Sequence, residues 1–207
     1  MFSVFVYINL FFFLFFFLIF LRDKFYEYKD DRKKEIEIGV VLGSGGHTFE
    51  IIEILKTLKN YNNIIFNFFY ASNDFFSKIK VEKKLKNYKK KFLVIPRCRN
   101  VGESYMMSFI KFVYAFIYCV YLTYKMNNMK LIIVNGPGTC LPVVFSLLFR
   151  KYIFFKTIKI VYIESICRIY SLSLTAKLLY LFTDLFVVFS EYLEKKYKKA
   201  KYYGYLF

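Results

Sequence analysis

Apolar positions along this chain follow three patterns, and each predicts a different element. The first is an unbroken run from Phe2 to Leu21 without a charged residue. At about 1.5 Å of helical rise per residue, such a run just spans a hydrocarbon core of about 30 Å. The second is a series of short, continuous runs: Ile36 to Leu42, Ile64 to Tyr70, Phe92 to Ile95, Leu131 to Val134, Ile160 to Ile163 and Leu185 to Phe189. Runs of this length, rich in β-branched and aromatic residues, read as strands buried on both faces. The third is helical. Ile51, Ile54, Leu55 and Leu58 recur on one helix face, and further helices are predicted from the polar stretch ending near Tyr88 and over Ser104 to Lys125, Leu141 to Phe149 and Leu174 to Thr183.

Strands alternating with helices predict an α/β fold, a parallel sheet covered by helices on both faces. Ligands in such sheets bind beyond the carboxyl ends of the strands. The loops with unusual composition, "GSGGHT" at 43–48, "PRCRNVGES" at 96–104, "NGPGTC" at 135–140 and "IESICR" at 163–168, all fall at those ends. The predicted organisation is a transmembrane anchor over 1–22, a basic juxtamembrane linker over 23–35 and one domain over 36–207. Arg22, Lys24, Lys29, Arg32, Lys33 and Lys34 crowd the downstream side of the anchor, which by the positive-inside bias leaves the domain in the cytosol. The run lacks the positive n-region and small-residue cleavage site of a signal peptide. The helix at 104–125 is apolar enough to be a second span, but Lys111 and the scattered tyrosines favour a buried or membrane-surface helix.

Composition changes this picture little. The 207 residues fit one domain plus an appendage, not two catalytic domains. The net charge of +17 accompanies abundant Lys, Asn, Ile, Phe and Tyr and no Trp, a bias expected from an AT-rich genome. No nucleic-acid-binding module accompanies the charge, so nucleic acid is not expected as a partner. Lys83-Lys84 and Lys89-Lys90-Lys91 read as solvated helix and loop faces. Cys98, Cys119, Cys140 and Cys167 form no C-x-x-C pair and read as reduced cytosolic thiols. With a single histidine and no acidic cluster, neither a metal site nor a cofactor is expected.

Residue chemistry alone leaves the candidate site open. Gly43, Gly45 and Gly46 suit either a tight strand-to-helix turn or a loop whose amides, with the helix N-terminus, hold a phosphate. Thr48 stands where the dinucleotide fingerprint needs its third glycine, and the P-loop lysine is missing. His47 is either a loop-bonding cap or a base; the helix dipole disfavours its imidazolium, whereas a bound diphosphate favours it. Glu164 is a rival base or a turn cap that pairs with Arg168. Arg97 and Arg99 offer guanidinium forks for a diphosphate or are simply solvated. Asn135, Gly136, Pro137, Gly138 and Thr139 form a second glycine loop, again a helix-entry turn or a cleft wall.

Taken together and in order, "GSGGHTFE", "IPRCRNVGESY", "NGPGTCLPV" and "VYIESICRIYSLSLTAKLLY" resemble the membrane-anchoring subunits of the UDP-N-acetylglucosamine transferase that makes chitobiosyl-diphospho-dolichol in asparagine-linked glycosylation. The resemblance covers Ile38 to Phe207. It implies a Rossmann-like domain of the type that forms the N-terminal, acceptor-side half of a GT-B glycosyltransferase. It also implies a cytosolic donor-binding subunit as partner, GlcNAc-diphospho-dolichol as acceptor and an endoplasmic reticulum location with one span. Carried onto this chain, it implies an inverting transfer with His47 or Glu164 as the base. Gly43, Ser44, Gly45, Gly46, Thr48, Arg97, Asn135, Gly136, Gly138, Thr139 and Arg168 would bind acceptor or phosphate, and the terminal "YYGYLF" would be a docking strip. Such a half-enzyme is expected to be inactive alone. Two alternatives remain at this stage, a noncatalytic membrane scaffold and an NAD(P)-dependent membrane reductase on the same fold.

Overall fold

A computed structural model of the chain describes residues 35–58, 63–98, 102–126, 128–153 and 157–204. The chain divides into two units, Met1–Lys34 and Glu35–Phe207, and every described residue belongs to the second. The predicted anchor over 1–22, nearly all of the linker over 23–35, Arg99 and the last residues of "YYGYLF" lie outside the described residues.

The described unit is a seven-stranded sheet, every neighbouring pair parallel, with strand order β3-β2-β1-β4-β5-β6-β7. The strands are β1 (Ile36–Val41), β2 (Ile64–Ala71), β3 (Lys89–Ile95), β4 (Met129–Val134), β5 (Lys159–Ile163), β6 (Leu185–Val188) and β7 (Ala200–Tyr202). Between them run α1 (Gly46–Thr57), α2 (Phe75–Lys84), α3 (Tyr105–Tyr124), α4 (Cys140–Ile153), α5 (Leu174–Leu179) and α6 (Glu191–Lys196). Two cores sandwich the sheet. On one face Ile51 and Leu55 of α1 and Val81 of α2 pack on Val40, Phe66 and Phe68; on the other, α3 to α6 bring Cys119, Val143, Leu147, Ala176 and Leu193 onto Val41, Ile132 and Phe186.

Strand order reverses between β1 and β4, which are neighbours although β2 and β3 intervene in sequence. The loops after β1 and β4 therefore leave in opposite directions and open a crevice at that switch point. This topology sets "GSGGHT" beside "NGPGTC".

The edges differ from the sequence expectation. Lys89-Lys90-Lys91 is not a solvated loop but the start of β3, an edge strand on which Lys89 and Lys91 reach Glu35 (2.5 Å) and Glu37 (3.1 Å). Lysine on an edge strand tolerates pairing on one side and discourages it on the other, so charge masked the strand signal. The helix expected to run to Thr183 ends at Leu179, and α6 and β7 were not expected from the pattern.

Helix α3 meets the length and hydropathy requirements of a membrane span over Met106–Tyr124, with 17% of that window buried. It buries Ala115 and Cys119 against the core and leaves Phe109, Ile110, Tyr114 and Ile117 exposed. It is a half-packed surface helix with an apolar outer face. Its carboxyl end is held from α4 by the buried Arg150, whose Nη1 donates to the carbonyls of Thr123 and Met126.

A candidate active site at the strand-order switch

The loop after β1 turns into α1 at Gly45, which sits at φ 66°, a conformation costly to any residue with a Cβ. No side chain caps α1, whereas Asp74, Ser104 and Ser173 cap α2, α3 and α5. Ser44, Gly45 and Gly46 are exposed, and space is open around the last two. An uncapped, exposed helix start with its positive dipole end is suited to an anion.

Gly43 and Gly136 serve a different purpose. A Cβ on Gly43 would lie 2.7 Å from Pro137 and 2.9 Å from His47, and one on Gly136, at φ 64°, would lie 2.9 Å from Cε1 of His47. These glycines let the two loops close on each other and seat the imidazole between them.

The seated ring ends a chain of hydrogen bonds from the interior. Glu50, one turn along α1 from His47 and 5% exposed, accepts from Nδ2 of Asn135 (2.9 Å) on one oxygen and from the hydroxyl of Ser165 (2.9 Å) on the other. The carboxylate can only accept, so it fixes the Asn135 amide with Oδ1 facing His47 Nδ1 at 2.7 Å. Nδ1 must then carry the hydrogen, leaving Nε2 of the neutral ring with its lone pair free. The same Glu50 oxygen lies 3.9 Å from Nδ1, and the imidazole is about one-third exposed while the carboxylate is buried. An imidazole held in this way, with a buried carboxylate behind it, is able to accept a proton at Nε2. Glu50 and Ser165 were not singled out in the sequence. The available signal was a carboxylate three residues after His47, on a turn otherwise packed into the core.

Beside this relay lies a cleft of about 810 Å³. Of the residues singled out in the sequence, Gly43, Ser44, Arg97, Gly138 and Thr139 line it. Asn73 and Asp74 add polarity, while Phe109 and Phe112 of α3 and Leu174 and Leu178 of α5 form an apolar wall. Thr139 lines the cleft, and its buried Oγ1 makes no hydrogen bond among the described residues. The cleft sets one cation, Arg97, one carboxylate, Asp74, and several hydroxyls beside hydrocarbon, a lining suited to an amphiphile.

Asn135, 1% exposed, and Gly136 are buried at the His47 ring and do not line the cleft, and three more predicted residues stand elsewhere. Thr48 is fully buried, donating to the Gly43 carbonyl and bonded to Ser77 Oγ (2.8 Å), so it braces the loop from beneath and is not open to phosphate. Glu164 is 0% exposed, and its two oxygens accept from the backbone amides of Ser165 (3.0 Å) and Ser173 (2.8 Å). It clamps the loop after β5 as a turn cap and lacks the access a base requires. Arg168 is exposed on that loop and does not line the cleft.

The four cysteines are free thiols. Burial pushes the Cys98 thiol up to about 11 and, with Cys98 nearby, the Cys119 thiol up to about 12; burial also raises Cys140.

Comparison with known proteins agrees with this architecture. Chains of UDP-N-acetylglucosamine 2-epimerase from Neisseria meningitidis and of MurG from Acinetobacter baumannii match with TM-scores of 0.57 and 0.55, each at 12% identity. The match covers 83% and 76% of this chain but only 47% and 42% of theirs, so the chain spans less than half the length of either neighbour. In sequence, the UDP-N-acetylglucosamine transferase subunit ALG14 of Candida albicans is 35% identical over 179 residues, covering 84% of this chain and 79% of that protein. The Homo sapiens protein of the same description is 33% identical over 185 residues, covering 83% of each. The family model described as "Oligosaccharide biosynthesis protein Alg14 like" matches residues 38–206, and the chain belongs to that family.

Proposed function

We propose that this chain is the acceptor-binding, membrane-tethered subunit of a two-component UDP-GlcNAc transferase, and that a separate donor-binding subunit completes the active site. The observation that carries this reading is a mismatch of lengths. The chain matches most of relatives named as transferase subunits, yet less than half of solved proteins with the same fold. It supplies one wall of a two-walled crevice.

On this reading the acceptor is a GlcNAc-diphospho-lipid, GlcNAc-diphospho-dolichol in the endoplasmic reticulum membrane. Its diphosphate is held by the exposed start of α1, Arg97 and Thr139. Nε2 of His47 takes the proton from the attacking 4-hydroxyl of the acceptor sugar as oxygen bonds to the anomeric carbon of UDP-GlcNAc. UDP departs from the opposite face with the bonding electrons, which inverts that centre. Asn135 and Glu50 hold the tautomer and stabilise the imidazolium. The anchor over 1–22 keeps the domain at the cytosolic surface, and the terminal "YYGYLF", which starts at the last residue of the edge strand β7, docks the partner.

Coexpression with the donor-binding partner tests this directly. The pair is expected to convert GlcNAc-diphospho-lipid to the disaccharide, and His47→Ala to lower kcat by about 10²-fold or more with little change in KM for UDP-GlcNAc. Full turnover by His47→Ala would remove the base assignment. Activity of the partner on an artificial membrane anchor, without this chain, would reduce the chain to a scaffold.

A further inference from the structure

A second concavity adjoins the cleft. Between α3, α4 and the turn after α5 runs a groove of about 460 Å³, lined by Phe112, Phe116, Phe145, Leu148, Phe149 and Phe182, with Tyr152 the one lining residue that carries a polar side-chain atom. Its walls are braced edge to face: Phe112 on Phe145 at 6.1 Å, Phe116 on Phe149 at 6.2 Å and Phe145 on Phe182 at 6.0 Å. Rings locked against one another in this way keep an apolar trough open where collapse would otherwise close it. The groove is of ordinary ligand-pocket size. Nothing in the relay or the anion site uses it.

Phe112 lines both cavities. Polarity therefore changes along one continuous surface, from Ser44, Arg97 and Thr139 through Phe109, Leu174 and Leu178 to a trough of phenylalanines. A molecule that fills both has a polar, hydrogen-bonding head and a hydrocarbon tail attached directly to it. We infer that the aromatic groove between α3 and α4 binds the first isoprene units of the lipid acceptor, so that the protein reads the hydrocarbon next to the diphosphate as well as the sugar. This inference rests on the acceptor role proposed above. It separates two surfaces of α3. Phe112 and Phe116 face the tail, whereas Ile110 and Ile117 lie outside the groove on the exposed face, 54% and 64% exposed.

The test uses full-length chain with its donor-binding partner in detergent micelles and two acceptors, GlcNAc-diphospho-polyprenol and GlcNAc diphosphate carrying only an ethyl stub. Phe116→Ser combined with Phe149→Ser is expected to raise KM for the polyprenyl acceptor about ten-fold, leaving KM for the stub and for UDP-GlcNAc unchanged; Phe116→Leu restores most of the loss. Ile117→Ser behaves as wild type. Equal effects on both acceptors, no effect on either, or a matching loss in Ile117→Ser overturn the inference, the last by assigning the surface to bulk lipid or detergent. If wild type transfers to neither acceptor, the proposed function has failed, and the groove is read separately. Polyprenyl diphosphate carrying a diazirine on its first isoprene unit should then label peptides within 105–124 and 140–153. Labelling confined to other peptides, including the apolar run at 2–21, overturns it.

Discussion

Replacing Glu50 by glutamine removes one charge and almost no volume. The amide nitrogen is accommodated at Ser165, whose hydroxyl can turn to accept, and the remaining oxygen still receives Nδ2 of Asn135. The histidine tautomer survives and the anion does not. Two unit charges at the 3.9 Å that separates Glu50 from His47 Nδ1 attract by about 4 kcal/mol at an effective dielectric of 20. The imidazole is about one-third exposed, so solvent screens part of this, and about 2 kcal/mol is a reasonable share for the imidazolium that forms in the transition state. That share corresponds to a fall in kcat of about 30-fold. KM for both substrates stays near its wild-type value, because Glu50 does not line the cleft. Steady-state transfer by the reconstituted pair, with a thermal melt as the folding control, measures all of this. A folded variant with unchanged kcat would refute the relay even if His47 proved essential.

Three further outcomes follow from the same geometry. Gly136→Ala sets a Cβ 2.9 Å from the His47 ring at φ 64°, at a strain of about 1–2 kcal/mol; it should abolish most transfer in the reconstituted assay, whereas Gly138→Ala, with open space around it, should melt as wild type does. In a maleimide time course at pH 8 on the native chain, Cys167 should react fast, and Cys98, Cys119 and Cys140 should react only as the protein unfolds, because burial holds their thiols protonated. Arg150→Met leaves the Thr123 and Met126 carbonyls at the end of α3 without their donor and should destabilise the chain by about 2–4 kcal/mol in denaturant titration.

How much of this the sequence carried depends on the range of the interaction. Runs such as Ile36 to Leu42 announce buried strands because both faces of the sheet are covered, and the glycine loops announce their turns because φ near +65° at Gly45 and Gly136 is a local demand. Strand β7 carries no such signal. It is three residues with a lysine at its centre, ordered by pairing with β6 and by Glu194 accepting from the Tyr202 amide. The site divides in the same way. His47, Asn135 and the cleft-lining Arg97 and Thr139 are visible as unusual residues in unusual loops. Glu50 is not, since its partners Asn135 and Ser165 lie 85 and 115 positions away and meet it only because β1, β4 and β5 are neighbours in the sheet. Glu164 misled in the opposite direction. A carboxylate at a strand end looks available until the chain folds back and Ser173 donates its amide.

On the proposed reading, this polypeptide forms one wall of a shared crevice and requires another protein for the other. Purified chain, purified donor-binding partner and the two mixed should each be given labelled UDP-GlcNAc and GlcNAc-diphospho-lipid. Disaccharide lipid is expected only in the mixture, with no saturable UDP-GlcNAc binding by this chain alone. Turnover by the chain unaided, or a tight nucleotide-sugar site within it, would contradict it.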